Sequence, residues 1–183
     1  MKDRKYELVK DDFILHKGKK LYRIRALRDL IDENRYVEKE ELGGYVEGYH
    51  NLSQEGICWI FHEAKVYDNA KIENDARVGI EAEVFGNARI SGQAVVIGDA
   101  MVFGNARVRS SAEVYGYAKV YGNAVVRDFA KVKDYAEISG NAEIKAGARI
   151  EWGVRVYDNA VITNCAAIVG KEVVICDNSE ISR

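Results

Sequence analysis

Three histidines, His16, His50 and His62, and three cysteines, Cys58, Cys165 and Cys176, are the side chains of this chain suited to acid–base or nucleophilic chemistry. A neutral imidazole accepts a proton from a hydroxyl near physiological pH, and His62, just after Phe61, is the candidate for such a base. A thiolate nucleophile needs a base beside it, and none is apparent for the cysteines. Their odd number and wide spacing fit neither a disulfide framework nor a zinc motif. Glycine is frequent, but no GxGxxG opening a helix and no Walker motif occurs. No cofactor and no metal site is expected. Two further sets recur at regular intervals. Lys71, Arg89, Arg107, Arg109, Arg127 and Lys145 form a basic stripe that could contact phosphates or an acidic partner. Tyr67, Phe85, Phe103, Tyr121 and Tyr157 repeat every eighteen residues, with Ser139 breaking the series.

The element that positions these residues is a repeat. Stepping by six from Ile60 through Val66, Ile72 and Val78 to Val174, every position is Val or Ile. Stepping by six from Ala64, every position is alanine to Ala148, then Val154 intervenes before Ala160 and Ala166. Alternation within a hexad, as in Ala64-Lys65-Val66-Tyr67, is the period of a β-strand with alanine and the branched residue facing inward. The next two places carry Gly-Asn or Asp-Asn, as in Gly86-Asn87 and Asp158-Asn159, residues that tolerate the positive φ of a tight corner. The aromatic and asparagine stripes recur at eighteen residues, so three such sides make one coil. The asparagine stripe is expected to run from Asn69 to Asn159 and end at Asp177. Roughly six and a half coils at about 4.8 Å each stack to on the order of 30 Å. Proline, about 5% of average sequences, is absent from the chain, as an uninterrupted ladder requires.

The hexads resemble the hexapeptide repeats of left-handed parallel β-helices. The form A-x-V-x-G-N, preceded by Leu42-Gly43-Gly44-Tyr45-Val46-Glu47 and Asn51-Leu52-Ser53, is similar to the YdcK-type β-solenoid family, whose members occur in bacteria and phages. The resemblance implies the left hand of the coil and carries no established activity. The fold class read here is all-β, a left-handed parallel β-helix with a small N-terminal β-hairpin cap. Residues 1–57 are expected to form the cap and 58–183 the solenoid. Phe13 to His16 and Leu21 to Ala26 read as a hairpin around Lys17-Gly18-Lys19, and Asp29 to Asn34 as a helical turn.

Hexapeptide acyltransferases use a histidine base in a cleft between subunits, often with a loop inserted between hexads and a C-terminal helix. This repeat has neither. Carbonic anhydrases of the same fold hold zinc by three histidines, but those of this chain do not fall on consecutive coils. Cys58 takes an inward alanine position, and Cys165 and Cys176 take corners. The charge is nearly balanced, 27 basic against 29 acidic residues, which gives no general attraction to nucleic acid. No apolar run is long enough to span a bilayer. Residues Met1 to Lys10 lack a signal-peptide core, so a cytoplasmic location is expected. The stacked rings either strengthen the ladder or form an exposed patch that marks an interface. The reading is a non-catalytic scaffold that presents a rigid face to a protein partner or to itself. One version is a phage-encoded factor that blocks a host defence protein. The alternative is an acyltransferase using acyl-CoA with His62 as base.

Overall fold

The structure, a computed structural model, describes residues 4–32 and 35–182. Most hexads form a two-residue rung, such as Glu83–Val84 and Met101–Val102, paired in parallel with the rung eighteen residues away. The rungs build three parallel faces and about eight turns, with no helix among the described residues. The first face is the longest because the N-terminal strands extend it to ten, while the second and third have seven each. The branched residues and alanines from Ala64 to Ile162 are fully buried, Val154 included. A one-residue slip would turn this whole set outward, so the register is strongly specified.

The corners follow one rule. The first corner residue is left-handed whatever its type: Gly86, Gly104 and Gly122 are, but so are Asp68, Ile80, Ala146 and Trp152. At the first corner the second residue, the asparagine, is not left-handed and bonds its neighbours in the stack, whereas at the second corner Phe129, Gly147 and Cys165 are left-handed as well. Gly140 shows why glycine suits the first place: it has φ +64, and a Cβ there would lie 2.6 Å from the backbone nitrogen of Asp158.

The regular ladder begins earlier than the six-residue step from Ile60 implies. Strand β1 (Tyr6–His16) and strand β2 (Lys19–Ala26) form the expected hairpin, with both turn residues, Lys17 and Gly18, at positive φ. That is the twist a two-residue hairpin turn favours. Further on, β3 (Leu30–Asp32) and β4 (Arg35–Val37) pair antiparallel. The expected helical turn over Asp29 to Asn34 is therefore replaced by strand up to Asp32, and Asn34 lies outside the described residues. Strand β5 (Leu42–Val46) pairs antiparallel with β2 on one side and parallel with Lys65–Val66 on the other. Val46 thus lies over Val66, twenty residues on, and Leu52 bridges Ile72 at the same offset. Two extra residues between Leu52 and Ile60 hide this coil from a strict step of six. Gly44 lets β5 approach, since a Cβ there would lie 2.5 Å from the Ala64 carbonyl oxygen.

Buried polar groups close this end. The Tyr6 hydroxyl donates to the Leu52 carbonyl at 2.7 Å, and the buried Lys5 Nζ donates to the Cys58 carbonyl at 3.0 Å. Burial pushes the Tyr6 hydroxyl well above the usual tyrosine range, so it stays a donor. At the other end the sequence reading needs correction. Arg155 and Val156 pair with Val174 and Ile175, nineteen residues on, so Ile175 is inward and Val174 is half exposed. One residue is added around Gly170-Lys171-Glu172, where the chain cannot keep the hexad phase.

Candidate binding faces

On the first face the residue after each branched position points outward, and rungs in register carry their rings into a stack. Tyr67, Phe85, Phe103 and Tyr121 have successive centroid distances of 5.1, 4.9 and 4.9 Å with planes within 1°. This is the rung spacing itself, so backbone pairing dictates the stack. Beside it the first corner carries a continuous amide ladder. Asn69 Nδ2 donates to Asn87 Oδ1 at 3.1 Å, and the pattern repeats through Asn105, Asn123, Asn141 and Asn159. The last donor reaches Asn178 at 3.3 Å, not Asp177 as the unbroken phase implied; the nineteen-residue last coil shifts the partner by one.

The cap hairpin lands on the start of the ring stack. Lys17 Nζ stands 5.0 Å from the Phe85 centroid and 5.7 Å from that of Tyr67, and His16 meets Tyr67 edge-on at 5.4 Å. Beneath them is a compact polar cluster. Lys17 Nζ donates to Glu83 Oε2 at 2.7 Å, the Tyr67 hydroxyl donates to the same oxygen at 2.9 Å, and His16 Nε2 lies 3.3 Å from it. Burial opposes ionisation of Glu83, but the bonds from Lys17 and Tyr67 and the charges of Lys17 and His16 outweigh it and hold the carboxyl below its ordinary range. Burial pushes the Tyr67 hydroxyl up to about 12. Tyr67 is 2% exposed, so its ring is engaged within the chain. Phe85, Phe103, Tyr121 and Tyr157 are half-buried.

The six basic residues of the second face divide into two groups. Arg127 Nε donates to Glu143 at 2.7 Å and its guanidinium also meets Asp128, while Lys145 Nζ donates to Glu143 at 2.7 Å. These two cations are neutralised in place. Burial opposes ionisation of Glu143, but Lys145 and Arg127 outweigh it and lower its pKa. Lys71, Arg89 and Arg107 stand on three consecutive rungs. With Arg109 they have no ion pair among the described residues. The three line a shallow groove with the asparagine ladder on its other wall.

His62 is an exposed corner residue with φ +55, its ring 6.2 Å from Phe61 and its carbonyl accepting from Arg23 at 3.2 Å. Among the described residues the His62 imidazole has no hydrogen bond or ion pair. Cys58 is buried against the Lys5 ammonium at 3.2 Å, as an inward position requires. Cys165 is on a corner, whereas Cys176 follows the inward Ile175 and so occupies the aromatic stripe's place below Tyr157, a correction that follows from the shifted last coil. Among the described residues one trio of metal-donor type comes together, Asp158, Cys176 and Asp177, with donor atoms within 4.8 Å of one another. The Cys176 thiol is held above its ordinary pKa by desolvation and by the two carboxylates.

A second aromatic stack escaped the sequence reading. Tyr117 and Tyr135 lie on the corner leading into the first face, 5.0 Å apart and 3° from parallel, and Trp152 lines a surface depression with Tyr135. The signal was the same eighteen-residue step, applied to the corner instead of the strand. Among the described residues no helix is long and apolar enough to cross a membrane. No protein-family model matches this chain, and no curated protein matches it either.

Proposed function

We propose that this chain is a non-catalytic binding scaffold whose first face engages a protein partner or a second copy of itself. The observation that carries the reading is the coplanar stack Phe85–Phe103–Tyr121, held rigid by the ladder beneath it. An interface combines an aromatic centre with a polar rim. Here the rim is the ion-pair ladder Lys119–Glu137–Arg155, at 3.5 and 3.7 Å. Because Lys17 covers part of Phe85, the open centre of the patch is Phe103 and Tyr121. The resemblance to YdcK-type solenoids, with their phage members, supports a cytoplasmic factor that occupies a host defence protein. The acyltransferase alternative would use His62.

The test is the double variant Phe103→Ser with Tyr121→Ser. Light scattering would size the full chain, and co-purification from a native host would report the partner. Association should weaken while the β-sheet signal persists. If association is unchanged and only melting temperature falls, the rings serve the ladder and the reading fails. A thermal shift with acetyl-CoA that disappears in His62→Ala would bring the acyltransferase forward instead.

A further inference from the structure

The second face leaves a set of charges unmatched. Lys71, Arg89 and Arg107 occupy paired positions on three consecutive rungs, and no acidic side chain lines the groove they share with the asparagine ladder. Like charges on paired rungs oppose one another. Among the described residues none of the three has an ion pair. A column of opposite sign stands on the corner between the third and first faces. Its first three members are Glu63, Glu81 and Asp99, at eighteen-residue steps and all exposed. Glu63 meets Arg23 at 3.1 Å, while Glu81 and Asp99 have no ion pair among the described residues.

The two columns match row for row. Lys71, Arg89 and Arg107 each follow the carboxylate of their own row by eight residues, so each pair belongs to one coil and differs in height by less than one rung. The match continues beyond the charges. The acidic column runs on into Tyr117 and Tyr135, stacked at 5.0 Å and 53% and 61% exposed. The basic column runs on into Val125 and Glu143. One tyrosine ring is thus level with a valine, and the next tyrosine hydroxyl is level with a carboxylate acceptor. In a three-sided coil the corner between the third and first faces lies across the prism from the second face. That corner is a ridge, and the strip beside the asparagine ladder is a groove.

We propose that this chain associates with itself side by side, the acidic ridge of one copy seated in the basic groove of the next with their axes parallel. A second copy is the occupant the geometry favours, because it carries the opposite column at the same rung spacing. A slip of one rung in either direction leaves two opposite-charge pairs instead of three. An antiparallel arrangement keeps the charges but carries the tyrosines past the start of the groove. Ridge and groove are different surfaces, so the contact is heterologous and adds copies instead of stopping at two. The strip is narrow, which makes each contact weak and sensitive to salt. It uses neither Phe103 nor Tyr121 and does not depend on the partner proposed for them.

Light scattering of the full chain against concentration, in about 0.05 M and about 0.5 M salt, reads the contact. The weight-average mass should climb past that of a dimer at low salt, and the apparent affinity should fall by about tenfold at high salt. Arg89→Glu with Arg107→Glu should remove the rise, as should Glu81→Lys with Asp99→Lys, both with unchanged circular dichroism. Mixing these two variants should restore it, because the acidic ridge of the first then meets the basic groove of the second, and the reversed columns match in turn. Should a reversed variant not fold, Arg89→Gln with Arg107→Gln replaces it, and an undiminished rise there overturns the proposal. So does a parent mass that stays constant up to about 1 mM, a plateau at the dimer, or a mixture no larger than its components. Association that survives Arg89→Glu with Arg107→Glu but disappears in Phe103→Ser with Tyr121→Ser belongs to the first face and also overturns this contact.

Discussion

Glu83 is the residue on which the cap's attachment turns, because it receives Lys17, Tyr67 and His16 from two elements. Its carboxyl is held below the ordinary value of 4.5. Between the lowered folded value and 4.5 the unfolded chain binds more protons than the folded one, so stability rises with pH across that window. The contribution is complete above the ordinary value and is lost as pH falls through the folded one. Lys17 is half exposed, so solvent screens the pair. Glu83→Gln should cost about 1 kcal/mol at neutral pH and flatten the acid limb of melting temperature against pH. An acid limb as steep as the parent's would show that other carboxylates govern it.

At the scale of the element, the rung is only two residues long and its stability comes from its neighbours, as in any stacked repeat. The end coils show what happens when an insertion interrupts the phase: the chain keeps the ladder and moves the residues. Ile175, not Val174, therefore fills the last inward place of the first face. Ile175→Asp should lower stability by roughly 2–4 kcal/mol, since it buries an unpaired carboxylate at 8% exposure. Val174→Asp, on the outward side, should cost about 0.5 kcal/mol or less. Urea unfolding of the two variants compares them, and the reverse order would place the last coil in the eighteen-residue register.

Taken whole, the molecule is a prism with three differently dressed faces: aromatic, basic, and a third whose ion pairs include Lys131–Glu113 and Lys133–Glu151. The basic face is weaker than its composition suggests, because Glu143 and Asp128 neutralise Arg127 and Lys145. Four cations remain against a net charge of −2. Single-stranded DNA should bind no tighter than about micromolar at physiological salt, with affinity falling steeply as salt rises. Arg107→Glu with Arg109→Glu should abolish what binding there is. A tighter complex by fluorescence anisotropy, lost in that double variant, would make the second face a nucleic-acid surface.

The sequence by itself determined the period, the inward set and the eighteen-residue coil, because each rung repeats the same local pattern and any one of them reports the register. It also placed Phe85, Phe103 and Tyr121 in one column, since side chains on paired rungs have no other place to go. Only the tertiary structure decided where the hairpin tip lands. The contact of Lys17 with Glu83 joins residues 66 apart, and nothing in the period of six encodes it. That contact withdraws Tyr67 from the surface. The same holds for the two shifted coils, where insertions near Ser53 and Gly170 break the phase that made the rest legible. It holds as well for the basic stripe, which reads as uniform along the chain until Glu143 is seen to reach two of its members.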